Sequence, residues 1–84
     1  MPYNVEFTAS AAKDIKRLDH QVQERAYEVI ARLAHNPRPH GILQLEKDTY
    51  RIRFGDYRLI YEIQNQRLVV LILRVQKRGE VYRS

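Results

Sequence analysis

Hydrophobic and polar residues alternate most regularly in residues 49–61, which read TYRIRFGDYRLIY. Three apolar side chains in the first half of this stretch alternate with Arg51 and Arg53. A β-strand directs successive side chains to opposite faces of its sheet, so both arginines should leave the same face. The pattern therefore predicts a strand with one apolar face and one arginine face.

A Gly–Asp dipeptide at residues 55–56 forms a two-residue turn signal between two alternating segments. A hairpin that closes there pairs Arg53 with Arg58 and Arg51 with Ile60. Like charges directly opposite each other destabilise a sheet, so folding alone does not explain two facing arginines. A polyanionic partner would explain them.

The N-terminal part of the chain has a strand pattern followed by a helix pattern. Apolar side chains alternate with polar ones in residues 3–7, which predicts a short first strand. Helical spacing then runs from about Ala9 to Leu18. Thr8 or Ser10 is a suitable N-cap for this helix.

A second helix is predicted after Asp19, which can cap it. Its apolar positions recur every three or four residues, as on a helix that faces a core. They are Val22, Ala26, Val29, Ile30 and Leu33. The prolines in residues 36–39 end this helix, since proline cannot continue one. Because only a residue or two separates the helices, we expect an antiparallel helical hairpin.

The C-terminal half predicts further strands. Residues 42–45 suit a short extended segment, and the second strand of the hairpin runs to about Ile63. Residues 68–73 are continuously apolar, as in a central strand covered on both faces. Residues 1–84 are thus predicted to form one α+β domain of order β-α-α-β-β-β. Its antiparallel sheet is covered on one face by the helical hairpin, which leaves the arginine face open.

Charge is distributed unevenly along the chain. The net charge is +5, from 15 Lys and Arg against 10 Asp and Glu. Residues 1–41 hold six of these cations and five of the acids, whereas residues 42–84 hold nine and five. The basic excess therefore lies with the hairpin and the tail. It favours a nucleic acid, an anionic surface or an acidic protein as the partner.

The composition also limits the compartment and the chemistry. The chain has no cysteine, which excludes disulfides, thiol chemistry and thiolate zinc sites. Its first residues lack the pattern of a signal peptide, and residues 68–73 are too short to cross a bilayer. We therefore expect a cytoplasmic protein that does not bind membranes.

The three histidines do not indicate a catalytic or metal site. His20, His35 and His40 share no spacing typical of metal ligands, and the acidic residues are scattered. His35 near a helix C-terminus is explained by the helix dipole. No glycine-rich phosphate loop is present. We expect neither a metal ion nor a cofactor.

The basic tail, residues 74–84, carries a second group of candidate functional side chains. Tyr82 lies between Arg78 and Arg83 in a segment too polar to be core. Near the arginine face, cations would lower the pKa of Tyr82 below its usual ~10, and such a tyrosine can move a proton or stack on a base. A tyrosine packed over a sheet edge is the alternative. One bulge in the last strand would change the face that Arg78 takes.

These segments together resemble the RelE branch of the RelE/ParE toxin superfamily. The resemblance rests on TYRIRFGDYRLIYEI, the apolar strand after it and the terminal VQKRGEVYR, and it spans nearly the whole chain. The superfamily comprises toxins of bacterial and archaeal toxin–antitoxin pairs. Resemblance to the RelE branch implies a ribosome-dependent endoribonuclease that cuts mRNA in the ribosomal A site by metal-independent attack of the 2′-hydroxyl.

The resemblance also implies roles for individual residues. Tyr82 is the candidate general base, Arg58 would brace the pentacoordinate phosphate, and Arg78 would stabilise or protonate the leaving group. Arg51 and Arg53 would hold the scissile phosphate. Further RNA contacts are predicted for Lys47, Arg74, Lys77 and Arg83. Many relatives carry a histidine at the position of Lys77, and a few use a glutamate–histidine pair for proton transfer. The absence of a good histidine pair here predicts weak activity on free RNA.

The implied partners are an acidic, partly disordered antitoxin, the ribosome and mRNA, with operator DNA reached only through the antitoxin complex. Two other functions stay open. The other branch of the superfamily poisons DNA gyrase and cuts no RNA. A non-catalytic RNA-binding module could use the same basic sheet.

Overall fold

The computed structural model describes residues 2–78, which contain two helices and five strands. In chain order they are β1 (Asn4–Phe7), α1 (Ala9–Lys16), α2 (His20–His35), β2 (Leu43–Glu46), β3 (Thr49–Phe54), β4 (Tyr57–Gln64) and β5 (Val69–Lys77). Within these residues, neither helix is long and apolar enough to span a membrane.

Both helices begin where the sequence places a capping side chain. The Thr8 hydroxyl accepts a hydrogen bond from the Ala11 amide at 3.0 Å, and Asp19 accepts one from the Val22 amide at 3.0 Å. α2 ends before Pro37, because a residue that precedes proline is disfavoured in the helical region.

The five strands form one mixed sheet in the order β1-β5-β4-β3-β2. The predicted α+β fold is confirmed, and β3, β4 and β5 are the three antiparallel strands expected after the helices. The structure adds two features to the prediction. The extended segment at Leu43–Glu46 pairs with β3 as an edge strand, and β1 lies parallel to β5.

The core lies between the helices and one face of the sheet. Three helical side chains, Ala26, Ile30 and Leu33, are buried on α2. The strands contribute residues that pair across β3, β4 and β5 on the same face. The largest fully buried ones are Tyr61, Leu59, Ile63, Ile72 and Val70. The arginine-bearing positions belong to the opposite face, as the alternation predicts.

A β-bulge in β5 changes which residues face the core. Tyr61 pairs with Ile72, but the preceding residue of β4, Ile60, pairs with Arg74. Leu73 is therefore the extra residue. After it, the positions of β5 that face the core shift by one residue. As a result Val75 reaches the core, where it is 4% exposed.

Two side chains from the first helical segment hold the bulged strand. The Thr8 hydroxyl donates a hydrogen bond to the Leu73 carbonyl at 2.8 Å. The Asp14 carboxylate accepts hydrogen bonds from the Val75 amide at 2.9 Å and from the Arg74 Nε at 2.8 Å. β1 ends at Phe7, which pairs with Ile72, so these side chains replace a neighbouring strand along the rest of β5.

Replacing Asp14 by alanine should therefore destabilise the protein. The Val75 amide and the Arg74 side chain would both lose their acceptor, and a buried donor without a partner costs about 1–3 kcal/mol. The free energy of unfolding, measured in urea, should fall by that amount. Lys13→Ala on the exposed face of α1 is the matched control and should change it by less than about 0.5 kcal/mol. Equal stability of the two variants would contradict this assignment.

Tyr61 links the sheet to the chain that follows α2. Its side chain is fully buried, and its hydroxyl donates a hydrogen bond to the Pro37 carbonyl at 2.7 Å. Burial raises the pKa of Tyr61 to about 12, because the phenolate would lose its hydration. The folded protein therefore holds the phenol proton after the unfolded chain has released it.

This pKa shift makes stability depend on pH in the alkaline range. Tyr61 contributes to the free energy of unfolding below the usual tyrosine pKa of about 10. This contribution is lost as the pH rises from about 10 to 12. The loss should reach about 2–3 kcal/mol, since each pKa unit is worth about 1.4 kcal/mol. Chemical denaturation across this range should show a shallower fall in Tyr61→Phe, which has no phenol to ionise. Parallel curves for the two proteins would show that Tyr61 is not the cause.

Candidate functional site

The hairpin of β3 and β4 has the predicted register. Arg53 is directly opposite Arg58, and Arg51 is opposite Ile60. Residues opposite each other in an antiparallel pair project from the same face, so the three arginines share the face turned away from the helices. We call the surface of Arg51, Arg53 and Arg58 the arginine face.

The three arginines differ in exposure. Arg53 is exposed, Arg51 is half-buried, and Arg58 is 8% exposed. The Nε of Arg51 is buried and makes no hydrogen bond to any residue in the range 2–78. Buried guanidinium groups normally have all their donors engaged, so this Nε is a donor that the chain alone leaves unsatisfied.

The end of β5 brings a fourth arginine to the hairpin. Gln76 pairs with Arg58, which places Gln76 on the arginine face after the bulge. Arg78 lies two residues further on, is exposed, and donates its backbone amide to the Asp56 carbonyl at 2.6 Å. The backbone of Arg78 therefore lies at the hairpin turn, and its role in the site stays a prediction.

The further RNA-binding candidates lie apart from one another. Lys47 is exposed in the turn between β2 and β3, about 20 Å along the strand from Arg53. Arg74 forms the ion pair with Asp14, and this hydrogen bond raises the pKa of Arg74. Lys77 pairs with Tyr57 and so belongs to the helix side of the sheet. Of these three, Arg74 belongs by register to the same side of the sheet as the arginine face, since it pairs with Ile60, but Asp14 already holds its guanidinium.

Two predicted site residues, Tyr82 and Arg83, lie outside the described residues, and their roles stay predictions. The histidines are dispersed: His20 and His35 are exposed at the two ends of α2, and His40 is exposed in the loop after it. Within residues 2–78, no three His, Asp or Glu side chains are grouped as metal ligands would be.

Sequence reasoning missed a cation at the tip of the hairpin. Gly55 has a φ of +56°, as expected at the first central position of a type II′ turn. A Cβ atom on Gly55 would lie 2.8 Å from the Nη2 of Arg25, which is an exposed residue of α2. The hydrophobic pattern of α2 does not indicate that Arg25 contacts this distant turn.

The arrangement is suited to binding an extended anion. Arginine presents several donors in a planar fork and keeps its charge at any physiological pH, so it can hold phosphate oxygens bidentately. The hairpin places Arg53 and Arg58 at directly opposed positions, and β5 brings Arg78 to the turn. Fold and site thus define a small α+β protein whose sheet carries a cationic face.

Comparison with known proteins identifies the family. The model described as "ParE toxin of type II toxin-antitoxin system, parDE" matches residues 5–82. The chain therefore belongs to this family of toxins of type II toxin–antitoxin systems, and its relatives are RelE-like.

Similar proteins cover almost the entire chain. Toxin RelG of Mycobacterium tuberculosis is 34% identical over 99% of both chains. The mRNA interferase toxin RelE of Escherichia coli K12 is 31% identical, over 98% of this chain and 92% of the relative. Among solved structures, the toxin–antitoxin complex RelBE2 of M. tuberculosis contains a chain that is 32% identical, with a TM-score of 0.80. The match covers 93% of this chain and 100% of that one.

The glycine at the hairpin tip allows a direct test of the site's geometry. Gly55→Ala should destabilise the protein by about 1–2 kcal/mol, because its positive φ disfavours a side chain. The methyl group would displace only the exposed end of the flexible Arg25 side chain, which adds little to that cost. Gly41→Ala is the matched control, since Gly41 also has a positive φ and nothing lies within 4 Å of its Cβ position. Unfolding in urea should show similar losses for the two variants. Unchanged stability of Gly55→Ala would contradict the positive φ at the hairpin turn.

Proposed function

We propose that this toxin is an mRNA interferase, an endoribonuclease that cuts mRNA in the ribosomal A site. The observation that carries the proposal is the pairing of Arg53 with Arg58 beside Arg51, whose buried Nε is a free donor among the described residues. Arginines directly opposite each other are unfavourable in a sheet, and an anion bound over them would reduce that repulsion. The relative named mRNA interferase, at 31% identity, supports RNA as that anion.

The proposed reaction is an internal transfer at the phosphodiester. The 2′-hydroxyl loses its proton and its oxygen forms a bond to phosphorus. The bond from phosphorus to the 5′-oxygen then breaks, and that oxygen takes up a proton. The products are a 2′,3′-cyclic phosphate and a free 5′-hydroxyl.

Each proposed residue acts on one part of this reaction. Tyr82 takes the proton of the 2′-hydroxyl. Arg58 stabilises the charge on the pentacoordinate phosphate, while Arg51 and Arg53 hold the scissile group. Arg78, near the hairpin turn, stabilises the developing charge on the 5′-oxygen or donates the proton that this oxygen takes up. Stabilisation of charge by preorganised donors is usually the largest single contribution to catalysis in such sites.

We propose dependence on the ribosome because the described residues place no histidine on the arginine face. Both histidines of α2 and His40 lie at exposed positions outside the arginine face, so none of them supplies an imidazole to the reaction there. A site that relies on arginines for charge needs its substrate delivered in a reactive geometry. Such positioning contributes about 7–11 kcal/mol in well-oriented reactions, and we propose that the ribosome provides it.

An antitoxin is the second proposed partner. The solved RelBE2 structure is a toxin–antitoxin complex, and its matching chain is covered along its full length. We propose that an acidic, partly disordered antitoxin covers or disturbs the arginine face, because such a segment gains order when it binds a basic surface. Operator DNA would then be reached only through that complex.

Cleavage of mRNA on programmed ribosomes tests the proposed function. The purified toxin should cut ribosome-bound mRNA and leave free mRNA intact, and added antitoxin should stop the cutting. Arg58→Ala and Tyr82→Phe should each lower the rate by about 100- to 1000-fold, as for loss of one charge-stabilising or proton-transfer group. Arg32→Ala, an exposed arginine of α2, is the control and should cut normally.

Three results would contradict the proposal. Equal cutting with and without ribosomes would exclude ribosome dependence, and full activity of both site variants would exclude the proposed catalytic residues. The family model is named for ParE, which favours gyrase inhibition as the second candidate. Inhibition of DNA supercoiling at stoichiometric toxin, with mRNA left intact, would establish that candidate instead.

A further inference from the structure

A second cationic surface lies on the helix side of the hairpin, in a groove between α1 and the end of β5. The groove encloses about 430 Å³. Three cations line it, Arg17, Arg74 and Lys77, together with Asp14 and the ring of Tyr57. We call it the α1–β5 groove.

The charge of this groove is positive. Asp14 is the one carboxylate among its described lining residues, and it is already engaged by Arg74 at 2.8 and 3.3 Å and by the Val75 amide at 2.9 Å. Arg17 follows α1 and has an exposed side chain. The groove therefore attracts anions, and its carboxylate has little capacity left for a cation.

The aromatic lining distinguishes between kinds of anion. Tyr57 is half-buried, and its ring stacks on Phe54 with centroids 5.7 Å apart and planes at 19°. Its orientation is thus set by the core before any ligand binds. Cations that track a backbone, combined with an ordered ring on which a base can stack, are typical of single-stranded nucleic acid sites. An acidic peptide would use the cations but has no need of the ring.

The groove and the arginine face meet at one end of the sheet. Gln76 is opposite Arg58 on the arginine face, whereas the next residue, Lys77, is opposite Tyr57 at the groove. Arg25 adds a further cation at the hairpin tip, beside Gly55. Cationic side chains therefore continue around this end of the hairpin from one face of the sheet to the other.

We propose that the α1–β5 groove is a second RNA subsite, which holds an unpaired nucleotide flanking the one on the arginine face. Arg17 and Lys77 contact its phosphate, and its base stacks on Tyr57. The inference rests on the proposed function in that RNA is the substrate, but the groove's role is binding and it takes no part in bond breaking.

Binding of an oligoribonucleotide that cannot be cut tests the subsite separately from catalysis. A fluorescein-labelled single strand with 2′-O-methyl groups throughout lacks the attacking hydroxyl, and its anisotropy reports the Kd as salt is varied. Arg17→Gln should weaken binding and reduce the slope of log K against log salt by about 0.7, the value for one phosphate contact in a single strand. Arg32→Gln, an exposed arginine of α2, is the charge-matched control and should leave both unchanged.

The ring of Tyr57 is tested with two substitutions. Tyr57→Leu should raise the Kd about fivefold or more, because a stacked base contributes at least about 1 kcal/mol. Tyr57→Phe keeps the ring and its packing on Phe54, so it should bind as the unchanged protein does. With cleavable RNA on ribosomes, Arg17→Gln should raise KM and leave kcat unaltered.

Other outcomes would overturn the subsite. If Arg17→Gln had the same salt slope as Arg32→Gln, the proposed phosphate contact would be wrong. If Tyr57→Leu bound with normal affinity, the proposed stacking on Tyr57 would be wrong. Weaker binding of a polyglutamate peptide by Arg17→Gln, with oligonucleotide binding intact, would assign the groove to an acidic protein. Failure of the unchanged protein to cut RNA would count against the proposed function alone, since the oligonucleotide measurements decide the subsite.

Discussion

The arrangement of the candidate site depends on the bulge in β5 and on the side chains that hold it. Thr8 bonds the Leu73 carbonyl, and Asp14 bonds the Val75 amide, at the point where β1 no longer pairs with β5. Without the extra residue, strict alternation would place Val75 on the open face and Gln76 in the core. The bulge reverses this, so that an apolar side chain is buried and β5 continues to the hairpin turn with Gln76 beside Arg58. Two polar contacts from one short helical segment thus determine how the end of the sheet presents its charges.

The Asp14 carboxylate contributes to the stability of the fold and also lines the α1–β5 groove. Asp14 neutralises Arg74 and satisfies a backbone amide, and both interactions lie at the wall of the α1–β5 groove. Removing its charge would make the groove more basic, but it would also loosen the strand that carries Lys77. Arg17 and Tyr57 are different, because Arg17 is exposed and Tyr57 keeps its packing with any aromatic ring. Their side chains can be altered while the strand stays in place.

Much of the fold and part of the site are predictable from the sequence, for reasons that are local. Period-two alternation and a Gly–Asp turn determine the hairpin register, so the pairing of Arg53 with Arg58 is correctly predicted. Capping side chains mark the start of each helix. The missed features depend on contacts between distant parts of the chain. Leu73 is the last residue of a uniformly apolar run, which carries no mark of a bulge, and Asp14 and Arg25 have the pattern of solvated helix residues. The parallel pairing of β1 with β5 likewise joins segments more than 60 residues apart.

The facing arginines gain a physical explanation when the protein is considered with its partners. Like charges held opposite each other raise the free energy of the folded chain on its own. An anion that binds only the folded state relieves this repulsion, and it also stabilises the fold in proportion to its concentration relative to its Kd. RNA and an acidic antitoxin would both act in this way on the same face, so each opposes the binding of the other. If the proposed antitoxin binds this face, the toxin would be more stable in that complex than alone, and release of the antitoxin would expose the surface that RNA is proposed to neutralise.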